Sequence, residues 1–118
     1  GHLSNAVAEA LFDCDLLGFE CNYDLEMLRN GPYPVQLKRR IFSDVGHMAN
    51  ADSARALERL IGPRTQMVTA LHVSKQNNTY ALAERAFTEA LERLGARVTL
   101  EVATHEAPTS FARAGRAR

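Results

Sequence analysis

Apolar and polar residues follow one another along the chain in a pattern that predicts helices and short buried strands. Three apolar runs, residues 16–20, 66–73 and 98–102, have the length and composition of strands. The segments between them repeat apolar residues at helical spacing, and the longest helix is expected over residues 79–94. The predicted order is α-β-α-α-α-β-α-β, which indicates an α/β domain with helices packed on a small parallel or mixed sheet.

The helix that follows His47 is the best-defined local feature of the sequence. Asn50 is expected to be its N-cap, apolar residues recur along one face, and Gly62 follows its end. His47 therefore lies on the turn that enters this helix, in an exposed and well-fixed position. Side chains on such turns often carry chemistry.

Polar side chains also stand at the ends of two predicted strands. Glu20 ends the first strand, and His72 lies near the carboxyl end of the second. Binding sites in open α/β sheets form at the carboxyl ends of the strands. We therefore expect Glu20, His47 and His72 to come together at one edge of the sheet.

Each candidate also has a simpler interpretation. His72 alone is either a metal ligand or a histidine satisfied within the core, and Glu20 alone is typical of a buried carboxylate that is hydrogen-bonded or salt-bridged. The basic run Lys38, Arg39 and Arg40 is either a solvated helix face or an edge that contacts phosphate near His47.

Composition narrows the classes of function. The 118 residues suit one domain, and 14 basic and 14 acidic side chains give a formal net charge of zero, so any affinity for nucleic acid must come from a local patch. Cys14 and Cys21 match neither a metal-binding spacing nor a disulfide framework, and we expect reduced thiols in a cytoplasmic protein. No apolar run has membrane-spanning length, and no glycine loop for nucleotide phosphates is present. Residues 105–118 lose periodicity and are expected to form a loosely ordered tail.

An ordered series of motifs also resembles a known family. The motifs are ECNYDLEMLRNGPYP from Glu20, LKRRI from Leu37, SDVGH ending at His47, and HVS from His72, followed by Asn77 and Asn78. The series is similar to the C-terminal half of metallo-β-lactamase-fold hydrolases of the YycJ (WalJ) type, which are relatives of the transfer-RNA 3′-processing ribonuclease Z. Residues 1–104 would form this half-domain.

The resemblance implies half of an αββα sandwich and a nucleic-acid phosphodiesterase of the 5′-to-3′ DNA exonuclease type with two divalent metal ions, zinc or manganese. By motif, His72 matches the last metal-ligand histidine. His47 matches the histidine that contacts the scissile phosphate and protonates the leaving group, and Glu20 matches the glutamate that orients it. Lys38, Arg39 and Arg40 match a family motif to which we assign only a phosphate contact.

The family's other metal ligands, among them a His-x-His-x-Asp-His motif, would precede Gly1. We therefore expect a fragment that binds metal only in part, is inactive alone and needs the N-terminal half of the same fold as its partner. Ala49 also stands where the family usually has serine. Two alternatives stay open: an α/β binding module that keeps the scaffold without catalysis, and a hydrolase of esters outside nucleic acids.

Overall fold

The computed structural model describes residues 3–43 and 47–104, and within these ranges it has the predicted order of elements. The expected loose tail, residues 105–118, lies outside the described residues. No helix within the described ranges is long and apolar enough to cross a membrane. The helices are α1 (Asn5–Leu11), α2 (Leu25–Asn30), α3 (Val35–Ser43), α4 (Asn50–Leu60) and α5 (Tyr80–Leu94), and the strands are β1 (Leu16–Glu20), β2 (Met67–Leu71) and β3 (Thr99–Val102).

The three strands form one sheet in the order β1-β2-β3. Both strand pairs are parallel, with Glu20 opposite Leu71 and Ala70 opposite Val102. Of the two expected arrangements, parallel or mixed, the sheet has the parallel one in the part of the chain that the structure describes. The physical reason is that helices lie between successive strands, and such crossovers return the chain in the same direction.

Alternating residues of the strands divide the sheet into two unlike faces. On one face, Leu17 and Phe19 of β1 stand opposite Val68 and Ala70 of β2, and all four are buried in the main core. The same core contains apolar side chains of α1, α4 and α5, such as Ala8, Leu57 and Phe87. On the other face, Leu16, Met67 and Leu71 are only half-buried, whereas Thr69 on the central strand is buried. A parallel sheet with its helical layer on one face is the arrangement expected for half of an αββα sandwich.

The start of α4 corrects one prediction from the sequence. Ala49, not Asn50, is the N-cap residue, and no side chain caps this end. Asn50 is the first residue inside the helix. It is buried there, and its amide pairs with the amide of Asn78. Asparagine suits both positions, so the sequence alone could not separate a capping role from a partner across the fold.

Candidate active site

A cleft of about 320 Å³ lies at the carboxyl edge of the sheet, and the three predicted site residues line it together. β1 supplies Glu20, the residue after β2 is His72, and the turn before α4 supplies His47. The strand register explains how two of them meet, because Glu20 pairs with Leu71 and His72 is the next residue. The complete lining is Glu20, Asn22, Tyr23, Tyr33, Ile41, His47, His72, Ser74 and Asn77.

Glu20 and His72 form a direct pair in this cleft. Nδ1 of His72 lies 2.9 Å from Oε1 and 2.8 Å from Oε2 of Glu20. The His72 side chain is 73% exposed, so its interpretation as a core histidine is wrong. Glu20 is 37% exposed, which makes it a hydrogen-bonded carboxylate at the surface of the cleft.

The backbone at His72 has an unusual conformation. Its φ of 56° lies in the left-handed region, which non-glycine residues seldom adopt because the Cβ atom crowds the neighbouring carbonyl oxygen. β2 ends at Leu71, and Val73 on the other side of His72 is buried in the core. The left-handed turn therefore places an exposed imidazole between two anchored segments of the chain.

Asn22 connects the two strand ends, and the sequence analysis assigned it no role. Its Nδ2 donates hydrogen bonds to Oε2 of Glu20, at 3.0 Å, and to the carbonyl oxygen of His72, at 3.1 Å. Its Oδ1 accepts a hydrogen bond from the backbone N–H of Met48, at 2.8 Å. The only sequence signal for this role is its place two residues beyond Glu20.

His47 is exposed, and the backbone that follows it is firmly attached to the sheet edge. The backbone N–H of Asn22 donates to the carbonyl oxygen of Met48, and that of Asn50 donates to the carbonyl oxygen of Tyr23. Tyr23 and Ala49 form a parallel bridge. The segment after β1 therefore holds the entrance of α4 beside the cleft, although residues 44–46 lie outside the described residues.

The basic run lies on α3, next to the cleft. Nζ of Lys38 donates a hydrogen bond of 2.8 Å to the carbonyl oxygen of Arg29, one of the last residues of α2, and so ties the two helices together. Arg39 and Arg40 are exposed. The described lining of the cleft includes Ile41, the next residue in the chain, but none of the three basic residues. A phosphate contact by this run stays a prediction.

Aromatic and amide groups form the remaining wall of the cleft. Tyr33 and Ile41 pack against the small core cluster that contains Tyr23. Burial, and then the negative charge of Asp52, raise the pKa of Tyr23 above its ordinary value. Asn77 is anchored by its backbone, which donates to Oγ of Ser74 and accepts from the N–H of Asp24. This wall is therefore held by packing and backbone hydrogen bonds and is largely uncharged.

The donor set of the cleft fits one ligand of a metal centre. Among residues 3–43 and 47–104, no group of three or more His, Cys, Asp or Glu side chains could hold a metal ion. His72 itself has the environment typical of a metal-ligating imidazole, because a carboxylate faces Nδ1 and leaves Nε2 for the metal. The pair is thus suited to contribute one ligand and its supporting carboxylate.

Comparison with known proteins places the chain among relatives of one kind. No family model matches it. It is 39% identical over 95 residues to the exodeoxyribonuclease YycJ of Bacillus anthracis, a match that covers 80% of this chain and 36% of the relative. It is also 38% identical over 104 residues to the exodeoxyribonuclease WalJ of Streptococcus pneumoniae, in strains D39 and R6. By sequence, this chain is a relative of YycJ/WalJ-type proteins. The WalJ matches cover 86% of this chain but 39% of WalJ, so the chain spans well under half the length of these curated relatives.

Proposed function

We propose that this chain is the C-terminal half of a metal-dependent nuclease with the metallo-β-lactamase fold, and that the longer protein degrades DNA as a 5′-to-3′ exonuclease. The observation that supports this most directly is the cleft in which Glu20, His72 and His47 meet. The names of the YycJ and WalJ relatives supply the substrate class, since both are called exodeoxyribonucleases.

His72 is proposed as a metal ligand through Nε2. Glu20 accepts a hydrogen bond from Nδ1–H, which fixes the tautomer and the ring orientation and makes Nε2 more basic. Two zinc or manganese ions, one of them held by His72, would supply activation of water near neutral pH and stabilisation of the negative charge on the phosphate. The residues of this chain then have two tasks, which are to hold one side of that centre and to place the leaving group.

His47 is proposed as the proton donor to the departing oxygen. Its exposed imidazole at the cleft can reach a bound phosphodiester, and the fixed backbone of Met48 and Ala49 limits its position. General acid catalysis by a positioned side chain contributes about a hundredfold or more to the rate. Arg39 and Arg40 would contact phosphates of the same strand from the neighbouring face of α3.

The remaining metal ligands are proposed to come from an N-terminal half that this chain lacks. Two findings favour such a partner: the chain spans 36 to 39% of its relatives' length, and one face of its sheet keeps apolar side chains that are only half-buried. The partner half would add the His-x-His-x-Asp-His motif and cover that face.

The test uses the longer protein, with the natural sequence that precedes Gly1 restored. We expect bound zinc or manganese by elemental analysis, and degradation of a 5′-phosphorylated DNA duplex that stops when a chelator removes the metal. Bis(p-nitrophenyl) phosphate, a generic phosphodiester, should be a much poorer substrate. Duplex binding without hydrolysis in the metal-loaded protein would favour the binding module, and hydrolysis of generic esters alone would favour the third interpretation. Either result would overturn the proposal.

A further inference from the structure

We propose that Asn22 is a positioning residue, which sets the geometry of Glu20 and His72 relative to the backbone that carries His47. The inference rests on the proposed function for its meaning in catalysis, but its structural part can be tested separately. Asn22 itself is 7% exposed, so its amide acts mainly through the residues that it holds.

The donor side of the amide holds the metal-facing pair. One Nδ2 proton goes to Oε2 of Glu20, the same oxygen that lies 2.8 Å from Nδ1 of His72. The other goes to the carbonyl oxygen of His72, whose left-handed backbone is a conformation that needs support from its surroundings. Asn22 therefore fixes both the carboxylate that orients the imidazole and the peptide from which that imidazole projects.

The acceptor side of the amide holds the segment of the proton donor. Oδ1 of Asn22 accepts from the backbone N–H of Met48, while its backbone N–H donates to the carbonyl oxygen of Met48. This double contact fixes the residue directly after His47. A shift of Asn22 would therefore change the distance between the metal side of the cleft and the proton donor.

The orientation of the amide follows from its partners. Glu20 Oε2 and the His72 carbonyl oxygen can only accept hydrogen bonds, and the Met48 N–H can only donate. Nδ2 must therefore face the first two and Oδ1 the third. Aspartate in the same place would keep the contact with Met48. Its second carboxylate oxygen, which is also an acceptor, would face Oε2 of Glu20 and the carbonyl oxygen of His72.

This difference defines the variants. Asn22→Asp removes the donors and keeps the acceptor, whereas Asn22→Ala removes both without adding charge. Asn30→Asp, at an exposed site at the end of α2, is the matched control for the added charge. Far-ultraviolet circular dichroism and thermal unfolding of the 118-residue chain identify the variants that keep the fold.

The first readout is the tautomer of the neutral His72 imidazole, measured from long-range ¹H–¹⁵N spectra of the folded chain. We expect the wild type and Asn30→Asp to hold the Nδ1–H tautomer against Glu20, and both Asn22 variants to give a mixture. The second readout is exonuclease kinetics of the longer protein, where kcat should fall about tenfold or more with little change in KM.

Two results would overturn the inference. One is a folded Asn22→Ala chain whose His72 tautomer matches the wild type. The other is loss of fold in both Asn22 variants, which would make Asn22 a purely structural residue. If the wild-type longer protein fails to hydrolyse DNA, the proposed function fails, but the tautomer measurement still decides the role of Asn22.

Discussion

Both carboxylate oxygens of Glu20 lie within 2.9 Å of a single nitrogen, Nδ1 of His72. Because the two residues end adjacent parallel strands, the sheet itself brings them together. The pair leaves Nε2 as the nitrogen available to a ligand. The family resemblance assigned Glu20 to the orientation of His47. In the structure, Glu20 is instead paired with His72. Asn22 connects Glu20 to the segment that follows His47.

The first prediction concerns the charge of Glu20. In the longer protein, Glu20→Gln should weaken zinc affinity about tenfold or more, because an amide is a poorer acceptor for the Nδ1 proton of His72. Competition with a chromogenic chelator measures the affinity. Glu9→Gln, at an exposed position of α1, is the control and should leave it unchanged. Equal affinities in the two variants would contradict the role of Glu20.

The second prediction separates the two histidines. His47→Ala in the longer protein should lower kcat about a hundredfold with unchanged metal content, because it removes the proposed proton donor and no proposed metal ligand. His72→Ala should lower the metal content as well. Elemental analysis and turnover of a DNA duplex check both variants. If turnover survives in His47→Ala, the assignment of the proton donor is wrong.

The third prediction concerns the buried amide pair of Asn50 and Asn78. Oδ1 of Asn50 accepts from Nδ2 of Asn78, at 2.8 Å, and from Sγ of Cys21, at 3.0 Å. Nδ2 of Asn50 donates to Oδ1 of Asn78, at 2.9 Å. Asn50→Ala should lower the free energy of unfolding by about 2–4 kcal/mol, because polar groups are left unpaired in a buried place.

Urea denaturation measures this loss, and exposed Asn30→Ala is the control, with an effect within about 0.5 kcal/mol. The double variant Asn50→Ala with Asn78→Ala should lose less than the sum of the single losses, since each single change already breaks the pair. Additive losses would contradict the coupling.

The fourth prediction concerns alkaline pH. Burial raises the pKa of the Cys21 thiol from its ordinary value of 9.0 to about 12. Because the pKa is raised in the folded state, the contribution of this thiol to the free energy of unfolding is fully present below pH 9. It is lost as the pH rises toward 12, because only the unfolded thiol ionises in that range. Between pH 8 and pH 9.5 the wild type should lose about 1 kcal/mol more of its free energy of unfolding than Cys21→Ser.

Urea denaturation at the two pH values checks this difference. Serine keeps a donor for Oδ1 of Asn50 but does not ionise in this range, so it isolates the contribution of the thiol. The raised pKa of Tyr23 acts in the same direction at higher pH and is common to both proteins. Identical pH dependence in the two proteins would contradict the burial effect.

The pattern of apolar residues was enough to predict the order of the elements, because each strand and helix has its own periodicity. In the structure, Ser4, Asp24 and Thr79 cap their helices, and Gly95 ends α5 in the left-handed conformation, which are residue types typical of these positions. The prediction that Asn50 is the N-cap of α4 was wrong, because the partner of Asn50 lies 28 residues away in sequence. Distant partners leave no local signal.

The meeting of Glu20, His47 and His72 in one cleft also followed from the sequence, since strand ends of one sheet are neighbours. The exposure of His72 did not, because an apolar run that ends in histidine has the same pattern whether the imidazole is inside or outside. The left-handed backbone at His72 places the imidazole on the outside, and no glycine at this position signals such a turn in the sequence. The hydrogen bonds of the Asn22 side chain to three backbone or side-chain partners also could not be predicted from the sequence.

The unlike faces of the sheet have a consequence for the chain as a separate molecule. On the face opposite the main core, water reaches part of the apolar area of Leu16, Met67 and Leu71. β1 and β3 are also the outer strands of the sheet within the described residues. Exposed apolar area and free strand edges favour self-association. Sedimentation of the 118-residue chain should therefore show reversible oligomers as its concentration rises, whereas co-expression with the proposed N-terminal half should keep it monodisperse.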